Sequence, residues 1–258
     1  MYKLIITDFD GSLVGKDLNI SKENYMAISE LRKLGIDITI ATGRRWNSIE
    51  PFVNKLNIKL PIILYNGAGI YDHLKDKWLY RKFLNYNIFL EILEFISPLC
   101  PKVSIGVYGK DELYVGESNN IIKLFFEGKN EDLIELEKLL KTYFNDKVEI
   151  FFSSDIYLEI LPKGCSKGNA MLKLLKYLDI SPKDVIAIGD HDNDIDMIKK
   201  AGLGITLSSG SQRIKEEADY VINTGPDRSL LEIFERFIIK DLKGGEFYDF
   251  SDFNRKRY

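Results

Sequence analysis

The chain has 258 residues, 45% of them hydrophobic, which is enough to bury a sizeable core in one large domain or two modest ones. Its 36 basic and 39 acidic side chains leave a net charge of −3, which gives no electrostatic footprint for nucleic acid. No apolar run approaches the length of a membrane span, and the one after Lys3 is too short for a signal peptide. We therefore expect a cytoplasmic protein that binds neither nucleic acid nor membranes. Its oligomeric state, monomer or dimer, stays open.

The two cysteines, Cys100 and Cys165, have no metal-ligand spacing and are too few for a disulfide framework. We expect both to be reduced thiols, as is usual in the cytosol. The basic cluster Arg255-Lys256-Arg257 is too short to indicate nucleic-acid binding and is more typical of a solvated tail.

The first 65 residues alternate strand and helix patterns. In chain order we predict a buried strand over 4–7, a helix that Ser21 caps and Gly35 ends, a strand over 36–41, a short helix through Ile49, Val53 and Leu56, and a strand over 61–65. Pro51 is tolerated in the second helix only if it lies in the first turn. The βαβαβ order predicts a parallel, doubly wound sheet.

The pattern changes after about residue 83 and predicts an α+β unit. We expect helices over 88–96 and 133–143, and short strands over 103–108, 112–115, 121–126, 148–152 and 156–161. Such closely spaced strands are typical of an antiparallel sheet with both helices on one face. The aromatic residues of this region are interpreted as its core: Phe125, Phe126, Tyr143, Phe144, Phe151 and Phe152.

The segment Pro162-Lys163-Gly164 is typical of a hinge, and the βα alternation resumes after it. We predict helices over 167–178 and 194–201, strands over 185–188, 203–207 and 220–222, and a last helix that Pro226 opens. The fold class is thus α/β: a doubly wound, Rossmann-like parallel sheet formed by residues 1–82 and 162–258, interrupted by an α+β unit over 83–161.

Acidic side chains follow two of the predicted buried strands. Asp8 and Asp10 come directly after the first strand, and the run 189–194 (Gly-Asp-His-Asp-Asn-Asp) follows the strand over 185–188. Ligands of open α/β sheets bind at the carboxyl ends of the strands, and carboxylate oxygens suit Mg²⁺. A solvated turn is the alternative for the first pair, and a helix N-terminal position is the alternative for Asp194. His191 is interpreted as a variable loop residue between the acids.

Four motifs, in order and spacing, resemble those of the haloacid dehalogenase-like phosphatases. They are Asp8-Phe9-Asp10-Gly11-Ser12, Ala41-Thr42-Gly43-Arg44, Lys167-Gly168 and the run 189–194. The α+β unit between the second and third motifs resembles the type-two α/β cap of the Cof-like branch, and the turn Asn66-Gly67-Ala68 fits that branch too.

This resemblance implies a role for each acidic residue. Asp8 would be the nucleophile that forms an aspartyl-phosphate, and Asp10 would be the general acid and base. The metal would be Mg²⁺, held by Asp8, the backbone carbonyl of Asp10, Asp190 and Asp194.

The resemblance also implies five phosphate-binding residues: Thr42, Gly43, Asn66, Lys167 and Asn193. Thr42 is otherwise a simple strand-end cap. Lys167 is otherwise a solvated side chain, but the start of a helix is a poor place for a cation without an anionic partner. Arg44 contacts the substrate or forms a surface salt bridge, and the sequence leaves both open.

The function implied is a Mg²⁺-dependent phosphatase of small phosphorylated metabolites, and the compact cap favours a phosphoglycolate-like or sugar-phosphate ester. A phosphosugar mutase of the same fold is the alternative, and a non-catalytic binding module is a more distant one. Ser12 replaces the usual Thr but keeps the hydroxyl. The loops 207–210 and 224–227 depart from the family pattern near the expected site, so relatives do not determine the substrate.

Overall fold

A computed structural model describes residues 2–98, 103–109 and 120–239. The predicted strand over 112–115, Cys100 and the tail after Lys240, with its basic cluster, lie outside the described residues. Cys165 lies within them as a buried free thiol. In the described residues, no helix is both long enough and apolar enough to cross a membrane.

Most of the described strands lie where the sequence predicts them, and two are additional. The strands are β1 (Leu4–Thr7), β2 (Asp37–Ile40), β3 (Ile62–Leu64), β4 (Gly69–Asp72), β5 (Lys77–Arg81), β6 (Ser104–Gly109), β7 (Ile121–Glu127), β8 (Val148–Ser154), β9 (Tyr157–Pro162), β10 (Val185–Gly189), β11 (Leu203–Leu207) and β12 (Tyr220–Ile222).

The α-helices are α1 (Lys22–Lys33), α2 (Trp46–Lys55), α3 (Tyr86–Ile96), α4 (Asn130–Phe144), α5 (Lys167–Leu178), α6 (Ile195–Lys200), α7 (Gln212–Glu217) and α8 (Ser229–Ile233). Ser21 caps α1 as predicted, because its hydroxyl accepts the backbone N–H of Asn24. The prediction for the last helix is corrected: α8 begins at Ser229, after Pro226, and continues as a π-helix over Phe234–Ile239.

The central sheet is parallel, as predicted, with strand order β12-β11-β10-β1-β2. Every residue of β1 is buried, which is usual for a parallel strand covered by helices on both faces. Ile5 packs into one hydrophobic cluster with α1, α2 and α8, whereas Leu4 and Ile6 pack into another with α5, α6 and α7. This alternation produces a three-layer α/β/α core.

Strand β3 differs from the prediction. It touches the parallel sheet through a single bridge between Ala41 and Ile63, and otherwise pairs with the antiparallel strands β4 and β5. The β4–β5 hairpin was not predicted, because residues 73–76 between its strands contain neither glycine nor proline. Helix α7 was not predicted either, although Ser211 caps it by accepting the backbone N–H of Ile214.

The expectation for Pro51 is wrong. It is the sixth residue of α2 and therefore lies in the second turn. Pro51 and Asn47, one turn earlier, are both exposed, so water can replace the missing N–H at the Asn47 carbonyl.

A second, antiparallel sheet has the order β6-β7-β9-β8, and we call it the cap sheet. Helices α3 and α4 cover one of its faces, as predicted, through a separate hydrophobic cluster. Phe126 and Phe144 belong to this core. Tyr143 is instead 58% exposed, and Phe125 lies on the opposite face of the sheet. The prediction that all the aromatic residues form the core is thus corrected: strand alternation places Phe125 and Phe126 on opposite faces of the sheet, and Tyr143 lies on the exposed side of α4.

Candidate active site

The catalytic candidates from the two halves of the chain meet at one edge of the central sheet. Strands β1 and β10 are parallel neighbours, with Thr7 opposite Ile188. The Asp8 backbone N–H donates to the Ile188 carbonyl at 2.8 Å. Asp8 therefore stands beside the loop that follows β10, which carries Asp190.

Lys167 lies between two of the carboxylates. It is the first residue of α5, is 1% exposed, and its ammonium donates to Asp8 Oδ1 and to Asp194 Oδ1, at 2.6 Å each. The other oxygen of Asp194 accepts the backbone N–H groups of Asp190 and His191 at 3.2 Å. These contacts hold the carboxylates at fixed positions, and the alternative of a solvated Lys167 does not apply.

The third carboxylate is held by the loop after β1. The Ser12 hydroxyl donates to Asp190 Oδ1 at 3.0 Å. A hydroxyl at this position therefore holds the Asp190 carboxylate in place. Gly11 has φ +82°, and a Cβ there would lie 2.1 Å from Asp190 Oδ2. Carboxylate oxygens of Asp8, Asp190 and Asp194 all lie within 4.8 Å of one another. We call these three residues the acidic triad.

The acidic triad is electrostatically strained, because it carries three carboxylates around a single ammonium. Burial raises the pKa of Asp8 well above its usual range, against the attraction of Lys167. Burial, then repulsion from Asp194, raises the pKa of Asp190 to about 6. Burial opposes the charged form of Lys167, but attraction by Asp194 and Asp8 outweighs it and raises the lysine pKa. A further cation beside the triad would relieve this excess of negative charge.

We predict that Gly11→Ala abolishes most of the activity, since the new methyl group must displace the Asp190 carboxylate. Gly35→Ala is the matched control. Gly35 has φ +75° but no atom within 4 Å of a Cβ, so it loses only about 1 kcal/mol to left-handed backbone strain. Measuring activity and thermal unfolding of both variants separates displacement of Asp190 from backbone strain. Equal activity in the two variants would contradict a role for Asp190 in the active site.

The predicted phosphate-binding residues lie at the neighbouring strand ends. Thr42 is fully buried, and its hydroxyl oxygen accepts the backbone N–H of Arg44 at 3.1 Å, which fits the alternative of a strand-end cap and leaves the hydroxyl proton available. Asn66, also fully buried, has φ 51° and accepts the Asn193 amide at 3.0 Å. A Cβ on Gly43 would lie 2.9 Å from the Asn66 side chain, so glycine permits this close approach.

Asp10 and Arg44 form a bidentate ion pair. The guanidinium donates to the two Asp10 oxygens at 2.7 and 2.5 Å, and it lies 4.9 Å from the Phe9 ring centroid. The Asp10 side chain is 49% exposed, so the carboxylate faces the open part of the site. Of the two alternatives for Arg44, the structure shows a salt bridge, and its partner is the candidate general acid.

A buried ion pair joins the cap sheet to this site. Lys123 donates to Glu159 at 2.8 Å and to the Gly43 carbonyl at 3.2 Å, while Glu159 also accepts from Asn66 at 2.8 Å. Neither Lys123 nor Glu159 was predicted as a site residue. Each is a charged residue with apolar neighbours on both sides inside a predicted strand, and that signal could have found them.

His191 takes no part in the acidic triad through its side chain. Its Nε2 lies 3.8 Å from a carboxylate oxygen of Asp155, in the turn between β8 and β9. The imidazole thus faces the cap sheet, in keeping with its interpretation as a loop residue.

Comparison with known proteins agrees with this geometry. A sequence profile of haloacid dehalogenase-like hydrolases matches residues 5–120 and 116–234. The chain belongs to the haloacid dehalogenase-like hydrolases. Within this family it lies in the Cof-like branch, as the motifs indicated, and the Rossmann-like core with its cap is the fold of that branch.

Named relatives and a solved structure extend the match. The chain is 28% identical to the 5-amino-6-(5-phospho-D-ribitylamino)uracil phosphatase of Bacillus subtilis, covering 92% of this chain and 96% of the relative. It is 25% identical to an HMP-PP phosphatase of Yersinia pseudotuberculosis, covering 84% and 88%. A haloacid dehalogenase-like hydrolase from Bacteroides thetaiotaomicron has a TM-score of 0.74 at 26% identity, covering 92% and 100%. The chain is accordingly an enzyme, a phosphatase of this family.

Proposed function

We propose that the protein is a Mg²⁺-dependent phosphatase of small phosphorylated metabolites that works through an aspartyl-phosphate on Asp8. The observation that carries this proposal is the buried acidic triad around Lys167, at the carboxyl ends of the central strands. It combines a candidate nucleophile, an excess of negative charge for a cation, and a fixed ammonium for phosphate oxygens.

The donor set fits Mg²⁺. Three carboxylates offer hard oxygen ligands. Burial, together with repulsion between the carboxylates, raises the pKa of Asp8 and of Asp190, and a bound cation would oppose both effects. Asp8, Asp190 and Asp194 would hold the ion, and the backbone carbonyl of Asp10 stays a proposed ligand. When bound, Mg²⁺ would neutralise charge on the phosphate oxygens during transfer.

Asp8 and Asp10 would have different roles in the reaction. An Asp8 oxygen forms a bond to phosphorus while the ester bond breaks, and Asp10 gives its proton to the departing oxygen. Asp10 next takes a proton from the water that attacks the aspartyl-phosphate, which releases phosphate and restores Asp8. Such general acid and base help contributes about 10²–10⁴-fold. Both Asp10 oxygens accept hydrogen bonds from Arg44 in this structure, so this ion pair would open, and Asp10 would take up a proton from water, before it protonates the departing oxygen.

Nearby hydrogen-bond donors would stabilise the negative charge on the phosphoryl group during its transfer. Lys167 supplies a buried positive charge, and Thr42 supplies a hydroxyl proton. Gly43, Asn66 and Asn193 complete the proposed phosphate site. Residues 83–161 would act as the cap, closing over the site to exclude water during the first step and to select the substrate.

Small phosphate esters are the proposed substrates, with sugar phosphates and phosphoglycolate-like esters in the first panel. The compact cap supports small substrates, because only two helices cover its sheet in the described residues. The phosphorylated ribityl compound named for the Bacillus subtilis relative joins the panel.

Phosphate release from this panel in water enriched in ¹⁸O tests the proposal. We expect free phosphate that carries the label, because water attacks the phosphoryl group on Asp8. Isomerisation of a sugar phosphate without phosphate release would instead establish the mutase. Tight binding of one ester without any turnover would establish the binding module.

Removal of the metal gives a further prediction. We expect a chelator to abolish turnover and added Mg²⁺ to restore it, while Ca²⁺ restores much less because it prefers looser and larger coordination. Metal should also raise the melting temperature, since it binds the folded acidic triad in preference to the unfolded chain. Full activity in excess chelator would contradict a metal requirement.

A further inference from the structure

The buried ion pair of the cap sheet contacts two loops of the proposed phosphate site. Glu159 on β9 accepts the Asn66 side-chain amide at 2.8 Å, and Lys123 on β7 donates to the Gly43 carbonyl at 3.2 Å. Lys123 and Glu159 are only 4% and 5% exposed. Both hydrogen bonds run from the cap sheet to the core, so they form only when the cap lies on the core.

Glu159 stands at the end of a chain of hydrogen bonds that begins beside the acidic triad. The Asn193 side-chain amide donates to Asn66 Oδ1 at 3.0 Å, and Asn66 Nδ2 in turn donates to Glu159 Oε2 at 2.8 Å. The cap carboxylate is thus connected to two residues that the proposed function places at the phosphate.

Both amides belong to loops that pack beside the acidic triad. Asn193 directly precedes Asp194 in the chain. Gly67 follows Asn66, and a Cβ on it would lie 2.1 Å from the Ser166 carbonyl, at the start of α5. The turn of Asn66 therefore lies directly against the helix start that carries the buried lysine.

The Glu159 carboxylate determines which way the two amides point. An ionised carboxylate only accepts hydrogen bonds, so Asn66 must turn its NH2 group toward Glu159 and its oxygen toward Asn193. Asn193 must then offer its own NH2 group to that oxygen. Each NH2 group has two hydrogens, and the chain uses one of each. The second hydrogen of each amide stays available for a phosphate oxygen.

Two further donors hold the Glu159 carboxylate in place. Lys123 donates to Oε2, the oxygen that Asn66 also contacts, at 2.8 Å, and the Ser153 hydroxyl donates to Oε1 at 2.8 Å. A buried ion pair adds little stability by itself, because removing two charges from water is costly. Stability is therefore a weak explanation for this arrangement, whereas fixing an acceptor for Asn66 is a specific one.

We propose that Glu159 is a positioning residue that orients Asn66 and Asn193 for the phosphate when the cap lies on the core. Opening of the cap withdraws the carboxylate, and the two amides then lose their fixed orientation. The phosphate site is complete only in the closed arrangement, which couples turnover to the position of the cap. This inference rests on the proposed phosphatase function and adds a residue to its machinery.

Two double variants separate this positioning role from any contribution of the ion pair to stability. Lys123→Met, Glu159→Gln removes both charges but keeps an oxygen that accepts from Asn66, since the Ser153 hydroxyl can accept as well as donate. Lys123→Met, Glu159→Leu removes both charges and the acceptor. Neither variant leaves a buried charge unpaired, so we expect both to fold.

Turnover of the best ester of the panel is the first measurement. We expect kcat of the Leu variant to be about tenfold or more below that of the Gln variant, because misplaced active-site groups cost at least this much. Asn66→Ala should then lower kcat much less in the Leu variant than in the wild type, since Glu159 acts through Asn66. Equal kcat in the two double variants would overturn the proposal.

The Asn66 side chain gives a second readout that does not depend on turnover. In spectra of protein labelled with ¹⁵N at asparagine, the Asn66 signal is the one that Asn66→Ala removes. A hydrogen bond to an acceptor shifts an NH2 proton downfield, so we expect a downfield Asn66 proton in the wild type and the Gln variant but not in the Leu variant. The same shift in all three proteins would refute Glu159 as the orienting group.

This second readout also separates the inference from the phosphatase function. If no ester is hydrolysed, the proposed function fails, and the Asn66 signal still decides whether Glu159 orients the amide.

Ser153→Ala is a milder variant that leaves the ion pair intact. It removes one donor to Glu159, so we expect kcat to fall by about two- to tenfold with little change in melting temperature. Thr142→Ala is the control, because its hydroxyl donates to the Lys138 carbonyl within α4, and kcat should not change. If the double variants do not fold, kcat of Ser153→Ala equal to that of the control would overturn the proposal.

Discussion

Asp8→Asn is expected to abolish phosphate release, by at least about 10⁴-fold, because an amide oxygen cannot form the phosphoryl-enzyme bond. The measurement is steady-state phosphate release from the best ester of the panel, with acid-quenched protein analysed for a phosphorylated aspartate. Wild-type protein should show the adduct and the variant should not.

Folding is the control for this variant. Asp8 is 5% exposed and its pKa is raised by burial, so a neutral amide is readily accommodated there. Lys167 keeps its 2.6 Å contact to Asp194. The melting temperature should therefore fall little or rise. Asp10→Asn offers a comparison, with an expected loss of about 10²–10⁴-fold. An active Asp8→Asn enzyme would disprove the nucleophile.

Lys167→Met should damage both stability and turnover. The buried ammonium is the cation that contacts both Asp8 and Asp194, and removing one partner of a buried ion pair costs about 3–5 kcal/mol. If Lys167 binds the phosphoryl oxygens as proposed, loss of this donor should lower kcat by about 10²–10³-fold. Chemical denaturation and phosphate release measure the two effects.

Added Mg²⁺ should restore part of the lost stability in this variant, but little of its turnover, because the ion neutralises the carboxylates without replacing the lysine at the phosphate. Lys176→Met is the matched control, since Lys176 lies exposed on the same helix. A variant at Lys167 that is as stable and as active as this control would contradict the central position given to the lysine.

The sequence predicted the acidic part of the site because its residues follow recognisable elements. Asp8 comes directly after an apolar strand, and Asp190 comes after another. Parallel strands place their carboxyl ends at one edge of a sheet, so local patterns were sufficient to bring these residues together once the sheet was predicted to be parallel. The capped helix α1 and both helices of the cap were predicted for the same local reason.

Other features depend on contacts between distant segments. The hairpin of β4 and β5 pairs with β3 rather than continuing the helix-and-strand alternation. Pro51 lies in the second turn of α2 because that side of the helix faces solvent. Neither a pairing partner nor exposure to solvent can be read from a short window of residues.

The sequence by itself determined the fold class, the family resemblance and the positions of the acidic residues and Lys167, because strand ends and helix starts are local properties of the chain. Only the tertiary structure decided that Arg44 holds Asp10, and that Lys123 and Glu159 join the cap to the loops of Gly43 and Asn66. The physical reason is that an ion pair forms wherever two folded segments bring opposite charges within hydrogen-bond distance. That distance depends on the packing of the cap against the core, which no single segment encodes.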